Sequence, residues 1–407
     1  LPIRIAIMTY REAVEWLYSA VPNFQRDGGS KNYKIGLEGP QELWEYLECP
    51  GHSIPTIHIA GTNGKGSSTH LLASGMKEMG LRVGVFSSPH LFDFRERAKI
   101  GSELISKEFV AEWVSNHVEA FEERGNSFFE LTMMLAMSWF ELEQVDWIIL
   151  ETGMGGRLDA TNICAPEICL ITNIGLDHQQ FLGKDRRTIA GEKAGIIKAG
   201  IPVVVVEKDA ATQEAFIDKA SHEGAPLFWA NTYDLPSDLK GTYQKFNING
   251  ASQVLDLLFP ESKSLWSLGF TRVAENTGFF GRWTEISSSP RVVADTGHNS
   301  AAFTFLVEQA AAECRGRQHW VLGAAADKDM RAVMELLPKD ALYYWTATSN
   351  NRTLDGSALA EIGSKFGLFG HAFEHVNDAL EGAKLASEED DLIIVAGSNF
   401  VIADLRL

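Results

Sequence analysis

The chain has 407 residues, 45% hydrophobic and 22% charged, with a formal net charge of −18. That is globular composition at a length beyond what one core usually holds, so two domains are expected; the acid excess argues against a nucleic-acid-binding face. No apolar run of about 18 residues and no basic leader is present, so neither a membrane span nor membrane contact is expected. Cys49, Cys164, Cys169 and Cys314 are too scattered for a disulfide framework or a zinc site, which fits a reducing cytoplasm.

Residues 1–7 precede Met8, and a natural start at Met8 is the expectation. Apolar spacing then predicts an amphipathic helix over 10–21, a polar loop over 22–33 and a short helix over 40–47. Residues 57–60 read as a buried strand end. Gly61, Gly64 and Gly66 follow, and Leu71, Leu72, Met76 and Met79 then recur near helical spacing. Next come a strand over 82–86, helices over 106–123 and 128–143, and strands over 147–150 and 168–172. A helix over 185–199, a strand over 202–206, a helix over 210–223, a strand near 227–230 and a helix over 246–259 complete the first part.

The polar break 287–290 reads as a linker, giving domains of 1–287 and 288–407. Beyond it, strands over 291–295, 318–323, 341–346 and 391–396 alternate with helices over 300–313, 330–337, 355–366 and 376–387. The fold class is therefore α/β: a larger P-loop-type ATPase domain on a mostly parallel sheet, and a smaller C-terminal Rossmann-like doubly wound domain.

Strand, glycine loop and helix N-terminus present backbone N–H groups to phosphate. Lys65 stands where a cation reaches the terminal phosphates, and Ser67 or Ser68 offers a hydroxyl to Mg²⁺. The literal G-x-x-x-x-G-K-[ST] pattern is not met, because Ile59 and Gly66 occupy its first and last positions. Other polar groups follow strand ends, where ligands gather in open parallel sheets: Ser88, Glu151, Asp177 and His178. Glu151 is the strongest, since a carboxylate after a buried strand is costly without a partner. Ser88 alone reads as a turn residue and His178 alone as structural. Lys193 reads first as a surface lysine, with Gly191 and Gly195 beside it suggesting close approach of another element. The 153–162 stretch is a connecting loop or, following Glu151 directly, a substrate-facing one. Asp295, His298 and Asp329 follow strand ends in the second domain, each first of all a helix cap.

Taken together, G-T-N-G-K-G-S at 61–67, S-S-P-H-L at 87–91, E-T-G-M-G-G-R-L-D-A-T-N at 151–162, T-N-I-G-L-D-H at 172–178 and E-K-A-G-I at 192–196 resemble the folylpolyglutamate synthase and dihydrofolate synthase family, within the Mur-type ATP-dependent amide ligases. Weaker matches at 243–247, 281–282, 295–299 and 327–329 keep the family order. The resemblance implies that Asn63, Gly64, Lys65, Gly66, Ser67 and Ser68 cradle ATP, with Asn247, Arg282 and Asp295 also on the nucleotide. It implies Mg²⁺ ligands at Ser88, Glu151 and His178, and a carbamylated Lys193 supporting a second Mg²⁺. Arg157, Asp159 and Ala160 would belong to a folate-binding segment, and His298 and Asp329 to the glutamate side; Lys65, Lys193 and His298 would be the catalytic set.

The departures are Phe280 before Gly281, Thr296-Gly297 after Asp295, and Thr152; none removes a functional side chain. The reaction implied is acyl-phosphate formation on a pterin-linked carboxylate, followed by attack of L-glutamate. Small-molecule substrates and a monomer are the partner expectations. A cell-wall ligase shares this chemistry, but Gly66-Ser67 after the lysine and the 153–162 loop argue against it. A nucleotide switch or kinase would leave Asp295, His298 and Asp329 without a purpose.

Overall fold

The computed structural model describes residues 7–22, 36–326, 330–350 and 352–406. It divides into two compact units, Leu1–Asp238 with Lys245–Phe279, and Leu239–Gln244 with Phe280–Leu407. Most of the expected 22–33 loop, and Asp329, lie outside the described residues.

The first unit carries an eight-stranded sheet. Its strands are β1 (Thr56–Ala60), β2 (Val83–Phe86), β3 (Ala98–Ile100), β4 (Glu103–Leu104), β5 (Trp147–Glu151), β6 (Ile168–Ile171), β7 (Val203–Val205) and β8 (Leu227–Trp229). They lie in the order β4-β3-β2-β5-β1-β6-β7-β8. The run from β2 to β8 is parallel, and β3 and β4 add an antiparallel edge. Every residue of β1, β2, β6 and β7 is buried, as expected for strands covered by helices on both faces. Register puts His58, Leu150 and Cys169 on one face. Leu150 joins a core with Leu131 and Met134 of the helix Phe128–Leu142, and Cys169 joins one with Ile189 of the helix Arg186–Ala194.

The helix Lys65–Glu78 packs against a helix far along the chain, Lys263–Gly269, which apolar spacing did not single out. Gly269 permits it: a Cβ there would stand 2.5 Å from the Ser74 carbonyl oxygen, and Ser74 Oγ donates to the Gly269 carbonyl at 2.6 Å.

The second unit has a six-stranded sheet, order β13-β12-β11-β14-β10-β9. These are β9 (Thr284–Ser288), β10 (Arg291–Ala294), β11 (Gln318–Leu322), β12 (Leu342–Thr346), β13 (Gly370–Phe373) and β14 (Leu392–Ala396). All pairs are parallel except β9 with β10. Trp320, Tyr343, Trp345, Phe303 and Ile394 form its core. The polar break read as a linker is instead the turn of the β9–β10 hairpin, and the chain passes between units at 238–239, 244–245 and 279–280. The expected helix over 185–199 stops at Ala194, and that over 330–337 is the single turn Arg331–Met334.

Candidate nucleotide and metal site

The site starts where β1 ends. Gly64 takes a left-handed conformation, φ 86°, and the helix Lys65–Glu78 begins at the next residue. A Cβ at Gly61 would collide with Thr172, and one at Gly64 with Asn247. The loop is therefore a backbone cradle that side chains would fill, with the helix dipole's positive end behind it. The segment leaving β6 holds its shape. Thr172 Oγ1 donates to the Asn63 carbonyl at 2.7 Å, Asn63 N–H donates to Asn173 Oδ1 at 2.7 Å, and Thr62 N–H donates to the Asn173 carbonyl at 2.8 Å. Thr62 Oγ1 accepts from Gly175 N–H at 3.0 Å. Sequence reasoning missed these anchors, although a polar pair directly after a buried strand was their signal.

Two lysines converge on one carbonyl. Lys65 Nζ donates to the Gly61 oxygen at 3.1 Å and Lys193 Nζ to the same oxygen at 2.9 Å. Lys193 is only 3% exposed, so it is no surface lysine. Burial, reinforced by the Lys65 cation, pushes its ammonium down to about 7, against the pull of Asp177 and Asp159. Ser67 and Ser68 are buried in the first turn of the helix, and Ser68 Oγ has no hydrogen-bond partner among the described residues.

Neighbouring strands bring the other polar groups to the same edge. β2 leads into half-buried Ser88, β5 ends on buried Glu151, and β6 leads to half-buried His178. Glu151 lies opposite Ile59 in register, and Thr152 N–H donates to the Ile59 carbonyl at 2.9 Å. Hydroxyl, carboxylate and imidazole thus follow β2, β5 and β6, which lie to either side of β1 in the sheet; the two oxygen groups suit a hard divalent cation, and the imidazole is an unusual ligand for Mg²⁺. Among the described residues no cluster of three His, Cys, Asp or Glu side chains has metal-holding geometry. Arg97 is also buried, held below its ordinary value at about 10 by desolvation despite nearby Tyr18, Glu96 and Glu151.

The 153–162 loop lies on the helix Arg186–Ala194. Arg157 N–H donates to the Glu192 carbonyl at 2.8 Å, and the exposed Arg157 guanidinium pairs with Glu192 at 2.9 Å. A Cβ at Gly195 would strike Arg157, which explains that glycine; Gly191 faces open space, so close approach does not explain it. Asp159 is buried and shapes its own loop: it accepts from Met154 N–H at 2.9 Å, Thr161 N–H at 3.0 Å and Thr161 Oγ1 at 2.6 Å. Desolvation raises its carboxyl above the ordinary range, and these donors oppose the rise. Ala160 is buried beside it.

In the second unit, buried Asp295 accepts from Tyr243 Oη at 2.5 Å, Trp283 N–H at 2.7 Å and Gly297 N–H at 2.8 Å. Arg282 donates to Thr296 Oγ1 and to the Gly281 carbonyl. His298 Nδ1 lies 3.1 Å from the Thr296 carbonyl oxygen. Arg282, Asp295 and His298 are thus gathered around the exit of β10. Asn247 belongs to the first unit, where it is buried against Gly64.

Comparison with known proteins gives the same division. A model of the "Mur ligase middle domain" matches residues 59–263, and one of the "Mur ligase, glutamate ligase domain" matches 281–399. The dihydrofolate synthase/folylpolyglutamate synthase of Escherichia coli is 32% identical over 404 residues, 92% of this chain and 91% of the relative. The solved structure of E. coli FolC with DHPP and ADP has a TM-score of 0.86 at 28% identity, covering 98% of this chain and 97% of that one. A structure of a bifunctional folylpolyglutamate synthase/dihydrofolate synthase with Mn, AMPPNP and L-glutamate has a TM-score of 0.84 at 27% identity, covering 97% of both chains. Against a Haloferax volcanii protein named "Probable bifunctional folylpolyglutamate synthase/dihydropteroate synthase", 28% identical, the chain spans 50% of the relative's length. On matches that run through both units and nearly the full length of its bacterial relative, this chain belongs to the dihydrofolate synthase/folylpolyglutamate synthase family of Mur-type ligases.

Proposed function

We propose that the protein is an ATP-dependent ligase that joins L-glutamate to a pterin-linked carboxylate, of dihydropteroate, of a reduced folate, or of both. The observation that carries this reading is the glycine cradle after β1, with Lys65 and buried Lys193 meeting at the Gly61 carbonyl. A carboxylate is a poor electrophile for an amine. Its oxygen takes the γ-phosphoryl group of ATP, giving an acyl phosphate and ADP. The glutamate amine then attacks the acyl carbon, loses a proton, and inorganic phosphate leaves as the amide forms.

The chain's residues serve this by gathering charge. Asn63, Gly64, Gly66, Ser67 and Ser68 hold the phosphates, with Asn247 against the loop, and Lys65 meets the charge that develops on the transferred group. Arg282 and Asp295 belong to the nucleotide set, and His298 with Asp329 to the glutamate side. Ser88, Glu151 and His178 would hold a divalent ion, which supplies Lewis-acid neutralisation of the phosphates. Arg157, Asp159 and Ala160 belong to the loop that receives the pterin-linked substrate, Asp159 through its shape. The low-lying amine of Lys193 supports its carbamylation by CO₂ and, with that, a second metal position. The four cysteines are free thiols, which favours a reducing cytoplasm. We take the working unit to be a monomer.

The test is phosphate release from ATP with Mg²⁺ and L-glutamate, comparing dihydropteroate with tetrahydrofolate. Turnover with both makes the enzyme bifunctional, and turnover with one assigns it to that step. No turnover with either, in folded protein that binds ATP, overturns the reading and makes nucleotide-linked cell-wall precursors the acceptors to try.

A further inference from the structure

A histidine that the reaction does not use sits in the middle of the nucleotide strand. His58 is the third residue of β1, wholly buried, three residues before Gly61. Its Nε2 lies 2.8 Å from Thr161 Oγ1. That hydroxyl has one hydrogen, and it is spent: Thr161 Oγ1 donates to Asp159 Oδ1 at 2.6 Å. The oxygen can therefore only accept from His58, which places the imidazole proton on Nε2. Nδ1 is then bare, and it has no hydrogen-bond partner among the described residues. Desolvation and the charge of Lys198 press the ring down to about 3, so it is neutral at any working pH.

We propose that His58, as the Nε2–H tautomer, is a positioning residue that ties the 153–162 loop to the nucleotide strand through Thr161 and Asp159, and so sets where the pterin-linked carboxylate is received. The relay runs from β1 to a buried carboxylate whose other oxygen accepts from Met154 N–H. The same loop rests on the helix that bears Lys193: a Cβ at Gly156 would stand 3.0 Å from the Glu192 and Lys193 carbonyl oxygens. A loop that slackens at Asp159 thus loses its fixed distance from the phosphate cradle, while the cradle, held by Thr172 and Asn173, does not. The inference rests on the substrate role proposed above for this loop.

The test uses His58→Leu, which removes the donor, Thr161→Val, which removes the relay oxygen, and His58→Gln, whose amide restores a donor. Val114→Ala, on the buried face of the helix Lys107–Arg124, is the control for a lower Tm. Steady-state kinetics and peptide-resolved hydrogen exchange are measured on all four. Expected is a rise of about tenfold in KM for the pterin substrate in His58→Leu and Thr161→Val, with KM for ATP within about twofold and His58→Gln within about threefold of the parent. Exchange over 153–162 should quicken in the first two and not in Val114→Ala. Equal shifts in every KM, or loop exchange matching the control, overturn the proposal. If the parent protein turns over no pterin substrate, the functional reading has failed, and exchange alone decides: an unchanged loop overturns the anchoring, a loosened one upholds it. Ring ¹⁵N spectra of the parent should give a single Nε2–H tautomer for His58 between pH 5.5 and 8; an Nδ1–H tautomer overturns it as well.

Discussion

Gly64 and Lys193 make two side-chain-level predictions. Gly64→Ala asks an L-residue to hold φ 86° with its Cβ against Asn247. It should cost about 1–2 kcal/mol of stability and weaken ATP binding about tenfold, read by thermal melts and calorimetric titration. The carbamylation proposed for Lys193 would proceed through its neutral form, because CO₂ adds to an amine and not to an ammonium. With the group near 7 when folded, the neutral fraction grows as pH rises through 7. At equal dissolved CO₂, supplied with bicarbonate, activity of CO₂-stripped enzyme should therefore recover faster at pH 8 than at pH 6. Lys193→Met should lose about 10–100-fold in turnover and show no bicarbonate response. A bicarbonate-independent parent would remove the carbamate from the mechanism.

Individual segments divide the labour between shape and chemistry. The turn after β6 braces the cradle through hydrogen bonds, and Thr172→Val frees the Asn63 carbonyl from its donor. ATP affinity should fall about three- to tenfold while Tm moves by no more than about 1 kcal/mol would dictate. Equal loss of stability and affinity would mean that Thr172 merely holds the sheet together. This segment also marks how far the sequence could be read. β1, β5, β6 and β14 were legible as short apolar runs, and the cradle as glycines between a strand and a helix. β13 was not, because Gly370–Phe373 is an edge strand with mostly exposed residues and no apolar run. The 287–290 break misled because serines and a proline suit a hairpin turn as well as a linker. Lys193 looked like a surface residue because sequence carries no information about what lands on it. Glu151 was legible for the opposite reason: its cost after a buried strand demands a use.

At the scale of the molecule, buried bases set the pH response of stability. His58 and His90 lie near 3 when folded, chiefly through desolvation, against an ordinary value of 6.5. Between pH 6.5 and 3 the unfolded chain binds more protons than the folded one, so stability rises with pH across that window and falls on acidification. Lys193 and Lys99, near 7 and 8 when folded, act with the same sign at higher pH: their charged forms burden the fold below those values, and stability gains as pH climbs towards 10.5. Melts from pH 4 to 9 should show the acid slope, and His58→Gln should flatten it; a slope unaltered by that change would place the titrating groups elsewhere. The residues Leu239–Gln244 have a different consequence. They belong to the second unit, where Gln309 takes the Thr242 N–H at 2.8 Å and reaches the Lys240 carbonyl at 2.9 Å, yet the chain on either side belongs to the first. The two halves are interleaved in sequence, so no single cut yields both intact. A fragment starting at Phe280 would leave Asp295 without the Tyr243 hydroxyl, and gene fusions that trade one half for a relative's must carry this six-residue stitch along with it.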